Sequence, residues 1–525
     1  MTVRLYNTLT DKLEDFTSQQ PNLVKLYTCG PTVYDYLHVG NWSAYIYWDI
    51  LVRTLQANDY QVDRVMNITD VGHLVSDADE GQDKLEKGAK REGKTAWEVA
   101  KFYGDDFLNG VKRLGLIEPT HITKATDFID EQLDLIRRLK QKGFTYQIDD
   151  GIYFDTSKFP TYADFAHLDL DALKAGARVE FNPEKRNHSD FALWKFTPAG
   201  ETRDMEWETP IDILDREGES SLKADVPVKG KPSATGVYPV ERPLEVNDET
   251  SRDIKLDKAM GFPGWHLECS AMAMAILGET LDIHTGGIDH IPVHHTNEIA
   301  QSEAATGKRF SNFWLHNNHL KVNGTKISKS LGNGYTLDDL EQKGYSPIDY
   351  RMFVLQSHYT NEGNFTFDNL TAAKNRLQNW RNVAALRHQT HDTLRDDDEK
   401  STDDRSVSLY ATSQVIVEAL SNDLDTPAAL AIIDDAFSKL SNVALKDIHQ
   451  HAFLGLLETI DETLGLNLLT SSPDISDDNK RIIIAREQAR KTQNWAQSDK
   501  LRTELEKSGI TVRDTANGPI WEYVN

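Results

Sequence analysis

The feature that most constrains the fold is a strand, a tight turn and a helix that lead into a second strand. Residues 23–29 read as a short strand that Gly30-Pro31 ends, and an amphipathic helix is predicted from about Asn41 to Leu55. Residues 62–67 form the next predicted strand. This order indicates a parallel α/β sheet, and such sheets bind ligands at the carboxyl ends of their strands. We therefore expect a ligand site near the turn after residue 29.

The rest of the chain divides by pattern into segments of different character. The chain has 525 residues, which is too long for one ordinary domain. After about residue 350 the pattern is mainly helical. The other predictions are a surface loop or helical excursion at 75–93, helix over 95–143, a strand at 151–155, an irregular insertion at 210–258, a loop at 395–405 and a linker at 471–478.

Charge and hydropathy exclude some classes of protein. The net charge of −25 argues against nonspecific nucleic-acid binding, although a partner held at a few basic patches remains possible. No apolar run approaches the roughly 18–20 residues that a membrane span needs. The first residues lack the basic-then-apolar pattern of a signal peptide. These patterns predict a cytoplasmic protein.

The turn after the first strand carries the first candidate phosphate site. Gly40 would let a ligand approach the backbone, and a helix beginning there would offer unpaired N–H groups to a phosphate. His38 can donate a hydrogen bond to a phosphate oxygen. A His-x-Gly-Asn sequence is short, however, and arises by chance in many proteins.

A second candidate phosphate site is the segment Lys326-Ile-Ser-Lys-Ser330, which glycines flank on both sides. Lys326 and Lys329 can act on a polyphosphate as point charges, which suits charge that develops on a leaving pyrophosphate. Ser328 adds a hydroxyl donor. Most such segments are simply solvated basic loops, and this alternative stays open for the segment by itself.

Four side chains form a candidate metal-ligand set. If the stretch from Val293 is helical, His294 and Glu298 share one helix face, whereas His295 is turned about 100° away and belongs to another contact. The chain has two cysteines, Cys29 and Cys269. Two thiolates, an imidazole and a carboxylate suit zinc. Reduced buried thiols and an ordinary His–Glu hydrogen bond are the alternatives, and spacing alone does not show that the four residues meet.

A basic segment lies near the C-terminal end of the sequence. Residues 480–502 contain seven basic and two acidic side chains, a local balance of +5. Basic side chains suit phosphate, and an aromatic side chain such as Trp495 can stack on an unpaired base. A basic helix is more often a plain solvated surface.

Taken together, the two phosphate motifs resemble the His-Ile-Gly-His and Lys-Met-Ser-Lys-Ser elements of class I aminoacyl-tRNA synthetases. Ile327 stands where that pattern has Met, and Asn41 takes the last place of the first motif, as in the cysteine-specific branch. Outside 210–258 and 395–405, nearly the whole chain is similar to the bacterial cysteinyl-tRNA synthetase family.

The resemblance implies an α/β fold with a Rossmann-type parallel-sheet catalytic domain and an inserted connective region at 1–345. A helical stem-contact domain would follow at 346–470, and an anticodon-binding unit at 471–525. It also implies ATP-dependent activation of L-cysteine, transfer to tRNA(Cys), one zinc ion per subunit, magnesium with ATP, and a monomer.

The resemblance assigns roles to individual residues. The catalytic set would be His38, Asn41, Lys326 and Lys329. ATP would also contact Thr32, Gly40, Gly286, Gly287, Asp289 and Ser328. The cysteine pocket would include Thr69 and Trp265, for which a helix cap and core packing are the alternatives. Zinc would bind Cys29, Cys269, His294 and Glu298, and the anticodon would be read by Arg490, Trp495, Asp499 and Asp514.

Three other functions remain as alternatives. A ligase that passes cysteine to an amino sugar resembles the catalytic half but lacks an anticodon unit. A different nucleotidyl transferase would need neither the metal set nor the lysine loop. A catalytically dead paralogue that binds tRNA or protein would not need to retain His38, Lys326 and Lys329. No inserted segment reads as an editing domain, which is consistent with metal-based discrimination between cysteine and serine.

Overall fold

The computed structural model describes residues 1–71, 84–169, 182–198, 200–215, 259–328, 331–396 and 400–524, with side chains in the last range from Ser408 onward. Among these residues, no helix combines the length and the apolar composition that crossing a membrane requires. The segments 72–83, 170–181 and 216–258 lie outside the described residues, as does most of the predicted irregular insertion.

A five-stranded parallel sheet forms the centre of the first half of the chain, with the strand order β12-β11-β3-β4-β5. This confirms the predicted α/β class and the parallel sheet. The buried faces of β3, β4 and β11 contribute residues such as Leu26, Val65 and Ile283 to the largest hydrophobic core. The strands are β3 (Leu23–Thr28), β4 (Gln61–Ile68), β5 (His121–Lys124), β11 (Leu281–Gly287) and β12 (Ser311–Asn317).

The turn between β3 and α1 is set by two local features. A Cβ atom at Gly30 would lie 1.6 Å from the carbonyl oxygen of Asn67, so the close approach of this turn to β4 requires glycine. His38 is the N-cap of α1 (Val39–Ala57): its side chain accepts from the Asn41 N–H while the Asn41 side chain accepts from the His38 N–H. This capping box begins the helix two residues before the predicted start.

A second, antiparallel five-stranded sheet is inserted between β5 and β11, with the order β6-β7-β8-β10-β9. Together with helices α4 and α5 it encloses a separate core that includes Trp194 and Phe154. Its strands are β6 (Thr145–Ile148), β7 (Gly151–Phe154), β8 (Phe191–Phe196), β9 (Trp207–Glu208) and β10 (Met260–Pro263), and the helices around both sheets are α2 (Lys84–Glu92), α3 (Ala96–Arg113), α4 (Ile129–Gln141), α5 (Trp265–Leu277) and α6 (Thr296–Thr306).

The second half of the chain is helical, as predicted, and shares the main core with the parallel sheet. Short pairs of strands accompany it: β1 (Arg4–Asn7) with β2 (Lys12–Asp15), and β13 (Leu320–Val322) with β14 (Gly363–Phe365). The helices are α7 (Leu337–Gln342), α8 (Pro347–Leu355), α9 (Phe367–Ala384), α10 (Lys400–Ser421), α11 (Thr426–Leu440), α12 (Gln450–Leu464) and α13 (Leu468–Ser471).

The last unit consists of two helices and a hairpin around a small core of its own, which includes Ile483, Leu505 and Trp521. Trp521 is fully buried, and its backbone N–H donates to Gln389 in the helical region. The elements are α14 (Asp477–Lys491), α15 (Trp495–Lys507), β15 (Ile510–Thr515) and β16 (Gly518–Tyr523).

Two predictions of secondary structure are wrong in part. Residues 95–143 are not helical throughout, because residues 121–124 form β5, an edge strand that pairs with residues 65–68 of β4. Pairing with a formed sheet outweighs the weak helical pattern of so short a segment. The predicted loop at 395–405 ends early, since α10 begins at Lys400. Charged residues are compatible with helix, so a charge run does not by itself mark a loop.

One partly buried carboxylic acid gives the fold a pH dependence. Burial raises the pKa of Glu303 to about 7, although a hydrogen bond from the Phe310 N–H and the nearby Arg309 oppose that shift. Its contribution to stability is therefore complete below about pH 4.5 and is lost as pH rises to about 7. We expect Glu303→Gln to match the parent protein at pH 5 and to be more stable at pH 8, by at most about 3 kcal/mol.

Thermal unfolding midpoints at the two pH values test this prediction. The matched control is Glu279→Gln, because hydrogen bonds from Lys308 and Arg138 lower the pKa of Glu279. Glu279→Gln should not gain stability at pH 8. A Glu303→Gln protein whose midpoint shifts equally at pH 5 and pH 8 would contradict the prediction.

Candidate active site and metal centre

The candidate site lies where the central strands of the parallel sheet end. Cys29 follows β3 directly, and its N–H donates to Thr285 of β11 at 3.1 Å. Thr69 follows β4 and forms a bridge with Thr32. The carboxyl ends of adjacent parallel strands form the usual ligand crevice of such sheets. The sheet thus brings the predicted metal, amino-acid and nucleotide residues to one edge.

The four predicted metal ligands come together. The ligand atoms of Cys29, Cys269, His294 and Glu298 all lie within 4.8 Å of one another, and all four side chains are buried. Residues about 240 positions apart in sequence meet here because α5 carries Cys269 across the end of β3. Two sulfur atoms, one imidazole nitrogen and one carboxylate oxygen form a donor set that suits a soft divalent cation.

His294 and Glu298 come from one continuous helical segment. A π-helical turn, Ile291–His295, precedes α6, and π turns of this kind occur often at functional sites. His294 Nε2 and Glu298 Oε1 lie 2.8 Å apart. Trp265, at the first turn of α5, stacks on the His294 ring with 4.4 Å between ring centroids. Trp265 therefore contacts a candidate metal ligand and is not simply part of the core.

Two further histidines hold the candidate ligands in place, and the sequence analysis assigned them no role. His284 Nε2 lies 2.9 Å from Glu298 Oε2, and His266 Nδ1 lies 3.1 Å from His294 Nδ1. Both are fully buried. Partners of this kind orient metal ligands in proteins. The signal available in the sequence was their position in the two motif segments, since His266 follows Trp265 and His284 lies in β11.

A second set of four residues also brings its potential ligand atoms close together. The ligand atoms of Cys29, His284, His295 and Glu298 lie within 4.8 Å of one another. In this set, His295 Nε2 lies 3.4 Å from the sulfur of Cys29, which belongs to both sets, and His295 Nδ1 lies 2.7 Å from His316 Nε2. The contact with His316 is consistent with the prediction that His295 belongs to another contact. The first set offers two sulfur atoms and the second set only one, so a soft cation is expected to prefer the first set.

The electrostatics of the site favour a bound cation. Burial by itself would raise the pKa of Glu298, but His284 and His294 lower it to about 2. Burial by itself would lower the pKa of His294, but Glu298 and Cys269 raise it to about 10. A hydrogen bond from Cys29 lowers the pKa of the Cys269 thiol, and burial raises that of Cys29. The carboxyl of Glu298 and the thiol of Cys269 thus favour their anionic forms in a buried space, and a metal cation would stabilise both.

The two phosphate motifs meet at the first turn of α1. His38 Nδ1 accepts from the Asn41 N–H at 3.3 Å, so the ring proton of neutral His38 is on Nε2, where it can be donated to a phosphate oxygen. A Cβ atom at Gly40 would lie 2.8 Å from Ile327 Cδ1. The loop that carries Lys326 therefore packs on the first turn of α1.

A nearby asparagine holds residues 326–328 of the lysine loop in place. Asn333 Oδ1 accepts from the Ser328 N–H at 2.9 Å, and Asn333 Nδ2 donates to the Lys326 carbonyl at 3.2 Å. Lys326 is exposed, as a residue that meets a solvated polyphosphate should be. Lys329 lies outside the described residues, and its role stays a prediction.

The predicted amino-acid pocket contains a carboxylate that the sequence analysis did not assign. Thr69 is buried and accepts a hydrogen bond from Asn67 Nδ2 at 3.1 Å. No described helix begins at Thr69, so the alternative of a helix cap is wrong. Glu268 lies fully buried beside Thr69 and Cys269, and burial raises its pKa well above the usual range.

The predicted nucleotide residues lie at the end of β11 and in the turn after β3. Gly286 and Gly287 are the last residues of β11, and Asp289 lies in the turn that follows. A Cβ atom at Gly286 would lie 2.5 Å from the His295 ring, so only glycine fits against that ring. Thr32 bridges to Thr69 across the same edge.

The predicted anticodon residues fall in the last unit. Arg490 pairs with Asp514 at 3.2 Å, and its guanidinium lies 5.6 Å from the centroid of the Trp495 ring. Trp495 is 55% exposed, and Asp499 follows one turn later on α15. Arg486, which the sequence analysis counted only as a charge, donates two hydrogen bonds to Asp514. An exposed tryptophan beside a fixed arginine can stack on an unpaired base.

Two family descriptions match the chain. "tRNA synthetases class I (C) catalytic domain" matches residues 15–215 and 247–375, and "Cysteinyl-tRNA ligase anticodon binding domain" matches residues 472–521. A Mycobacterium tuberculosis methionyl-tRNA synthetase in complex with methionyl-adenylate shares the fold, with a TM-score of 0.52, 15% identity, and coverage of 85% of this chain and 88% of that one. Agrobacterium radiobacter LeuRS, in a ternary complex with tRNA and LeuAMS, gives a TM-score of 0.54 at 12% identity, covering 87% and 86%. The parallel sheet, the two phosphate motifs and these matches together define the protein as a class I tRNA synthetase.

Similarity to bacterial sequences shows which family within this class the chain belongs to. A cysteine–tRNA ligase of Treponema denticola is 36% identical over 99% of this chain and 100% of the relative. Cysteine–tRNA ligase 1 of Burkholderia lata is 37% identical over 99% of this chain and 96% of the relative. The chain belongs to the cysteine–tRNA ligase family. It is an enzyme that uses ATP to join cysteine to tRNA(Cys), and the matched anticodon unit distinguishes it from cysteine ligases that lack one.

Proposed function

We propose that the enzyme selects cysteine through a zinc ion held by Cys29, Cys269, His294 and Glu298. The observation that carries this proposal is the meeting of these four buried side chains within 4.8 Å. Zinc bound there would favour a soft thiolate over a hydroxyl and so separate cysteine from serine. A plain pocket discriminates such near-isosteres by only about 1–3 kcal/mol.

The protein's own residues would position the amino acid around this centre. Trp265 stacks on His294 and covers one face of its ring. Thr69 and the buried Glu268 line the adjacent space at the end of β4, where the polar groups of an amino acid need partners. His284 and His266 keep the carboxylate and the imidazole oriented.

ATP would lie across the two phosphate motifs, with magnesium. His38, the N-terminus of α1 and Lys326 provide donors and positive charge for the phosphates, and the resemblance adds Asn41, Ser328 and Lys329. Gly286, Gly287, Asp289 and Thr32 would contact the nucleotide. The cysteine carboxylate attacks the α-phosphate, pyrophosphate leaves, and a terminal ribose hydroxyl of the tRNA then takes the acyl group. Catalysis is mainly positioning and charge stabilisation.

The remaining parts of the chain would hold the tRNA. We propose the division into a catalytic domain at 1–345, a helical stem-contact domain at 346–470 and an anticodon-binding unit at 471–525. Arg490, Trp495, Asp499 and Asp514 would read the anticodon. We further propose that the enzyme acts as a monomer in the cytoplasm.

Exchange of radioactive pyrophosphate into ATP tests the amino-acid and metal proposals together. We expect the purified protein to catalyse exchange with cysteine and not with serine, and a zinc chelator to suppress that exchange. Added zinc should restore it. Exchange that is equally fast with serine, or that is unchanged after measured removal of the metal, would contradict the proposal.

A further inference from the structure

Two aromatic side chains beside the turn between β3 and α1, which carries His38, are exposed, although most described aromatic rings of the enzyme are buried. Tyr36 lies two residues before His38 and is 45% exposed. Phe102, on the neighbouring helix α3, is also 45% exposed. The two rings contact each other edge to face with 6.0 Å between centroids. Exposed aromatic clusters of this kind mark binding surfaces.

A buried tyrosine supports the cluster formed by Tyr36 and Phe102. Tyr103 contacts Tyr36 and Phe102 edge to face, with centroid distances of 5.1 Å in both cases. Tyr103 is itself buried, and its hydroxyl donates to Glu92 at 2.6 Å. Since the supporting ring is fixed, the exposed rings lose little conformational freedom when a ligand stacks on them.

One segment beside the cluster, residues 84–94, is basic in an acidic protein, although Arg91 and Lys94 pair with Glu92, and Arg91 also pairs with Asp35. Residues 84–94 contain five basic and two acidic side chains, a balance of +3, whereas the whole chain has a net charge of −25. Lys94 Nζ lies 4.7 Å from the centroid of Phe102. Lys87 and Lys90 of α2 are exposed. This charge suits a phosphate backbone.

We propose that Tyr36, Phe102 and Lys94 form a stacking platform for the unpaired 3′ end of the tRNA. Aromatic side chains stack on bases only where the base faces are open, so the surface fits a single strand and not a duplex. Acyl transfer requires the terminal ribose to reach the site beside His38, and Tyr36 precedes His38 by two residues in the turn between β3 and α1. The inference rests on the transfer step of the proposed function.

The primary test compares transfer with adenylation in Phe102→Ala. Loss of one base–aromatic stack should lower kcat/KM for tRNA in aminoacylation by about tenfold. Cysteine-dependent pyrophosphate exchange should stay within about twofold of the parent rate. Phe102→Trp should retain transfer, and Phe102→Leu should lose it, because leucine restores apolar area without a π face. The matched control is Trp97→Ala, an exposed ring of α3 that contacts Trp207 instead.

A second experiment measures binding of tRNA from which the proposed ligand, the unpaired 3′ end, has been removed. The dissociation constant for tRNA should rise in Phe102→Ala, whereas tRNA that lacks its unpaired 3′-terminal nucleotides should bind the variant and the parent protein equally. Transfer at the parental rate in Phe102→Ala would overturn the platform. So would a loss of affinity in Phe102→Ala that is as large for truncated tRNA as for intact tRNA. A parallel loss of exchange would assign Phe102 to the fold or to adenylation. Absence of exchange in the parent protein would contradict the proposed function and not the platform.

Discussion

Cys269→Ser is expected to abolish most cysteine activation, with cysteine-dependent pyrophosphate exchange falling by at least about 100-fold. The replacement removes a sulfur donor from the group of four buried ligands and leaves a hydroxyl that binds zinc poorly. Glu298 and His294 would then keep their buried charges without the cation, which weakens the whole set. The bound zinc, measured by atomic absorption on purified protein, should fall in parallel with exchange.

His295→Gln is the matched variant for this experiment. His295 belongs to the second set of four residues, and it also contacts the Cys29 sulfur. If Cys29, Cys269, His294 and Glu298 bind the metal, His295→Gln keeps its zinc, while Cys269→Ser and His294→Asn lose theirs. Loss of zinc in His295→Gln with retention in Cys269→Ser would assign the metal to the second set. Circular dichroism of each variant separates loss of metal from loss of fold.

The sequence patterns on both sides of the turn that carries His38 made much of the fold predictable. A six-residue apolar strand, a Gly-Pro break and a long apolar helix permit few alternatives, and the parallel sheet followed from their order. Strand β5 was missed because its four residues become a strand only by pairing with β4. Such tertiary pairing leaves no periodic signal in so short a segment.

The candidate site was predictable to the extent that its ligand chemistry is unusual. The two cysteines of the chain limited the possible sulfur ligands, and the resemblance supplied the pairing in space. His266 and His284 were missed because their role depends on contacts to other side chains, at 3.1 Å and 2.9 Å, that no spacing encodes. Arg486 was missed for the same reason, since its pairing with Asp514 joins α14 to a hairpin strand.

A buried ion pair joins the catalytic half to the helical half. Asp49 of α1 and Arg351 of α8 are both fully buried and are hydrogen-bonded to each other. Arg351 also donates to the Leu464 carbonyl at the end of α12, at 2.6 Å. Burial by itself would raise the pKa of Asp49, but Arg351 and Arg53 lower it. The helix that carries His38 is thus fixed to two helices of the second half.

Asp49→Asn is therefore expected to destabilise the enzyme by about 3–5 kcal/mol, because it leaves the Arg351 charge buried without its anionic partner. The midpoint of thermal unfolding should fall by roughly 3–5 °C. The matched control is Asp435→Asn, which removes an exposed pair with Lys439 and should cost less than about 1 kcal/mol. The double variant Asp49→Leu with Arg351→Met should be less destabilised than Asp49→Leu alone, since the buried Arg351 charge is removed and Arg53 keeps its hydrogen bonds to backbone carbonyls. Equal midpoints for Asp49→Asn and Asp435→Asn would show that the buried pair does not join the two halves in the way its geometry indicates.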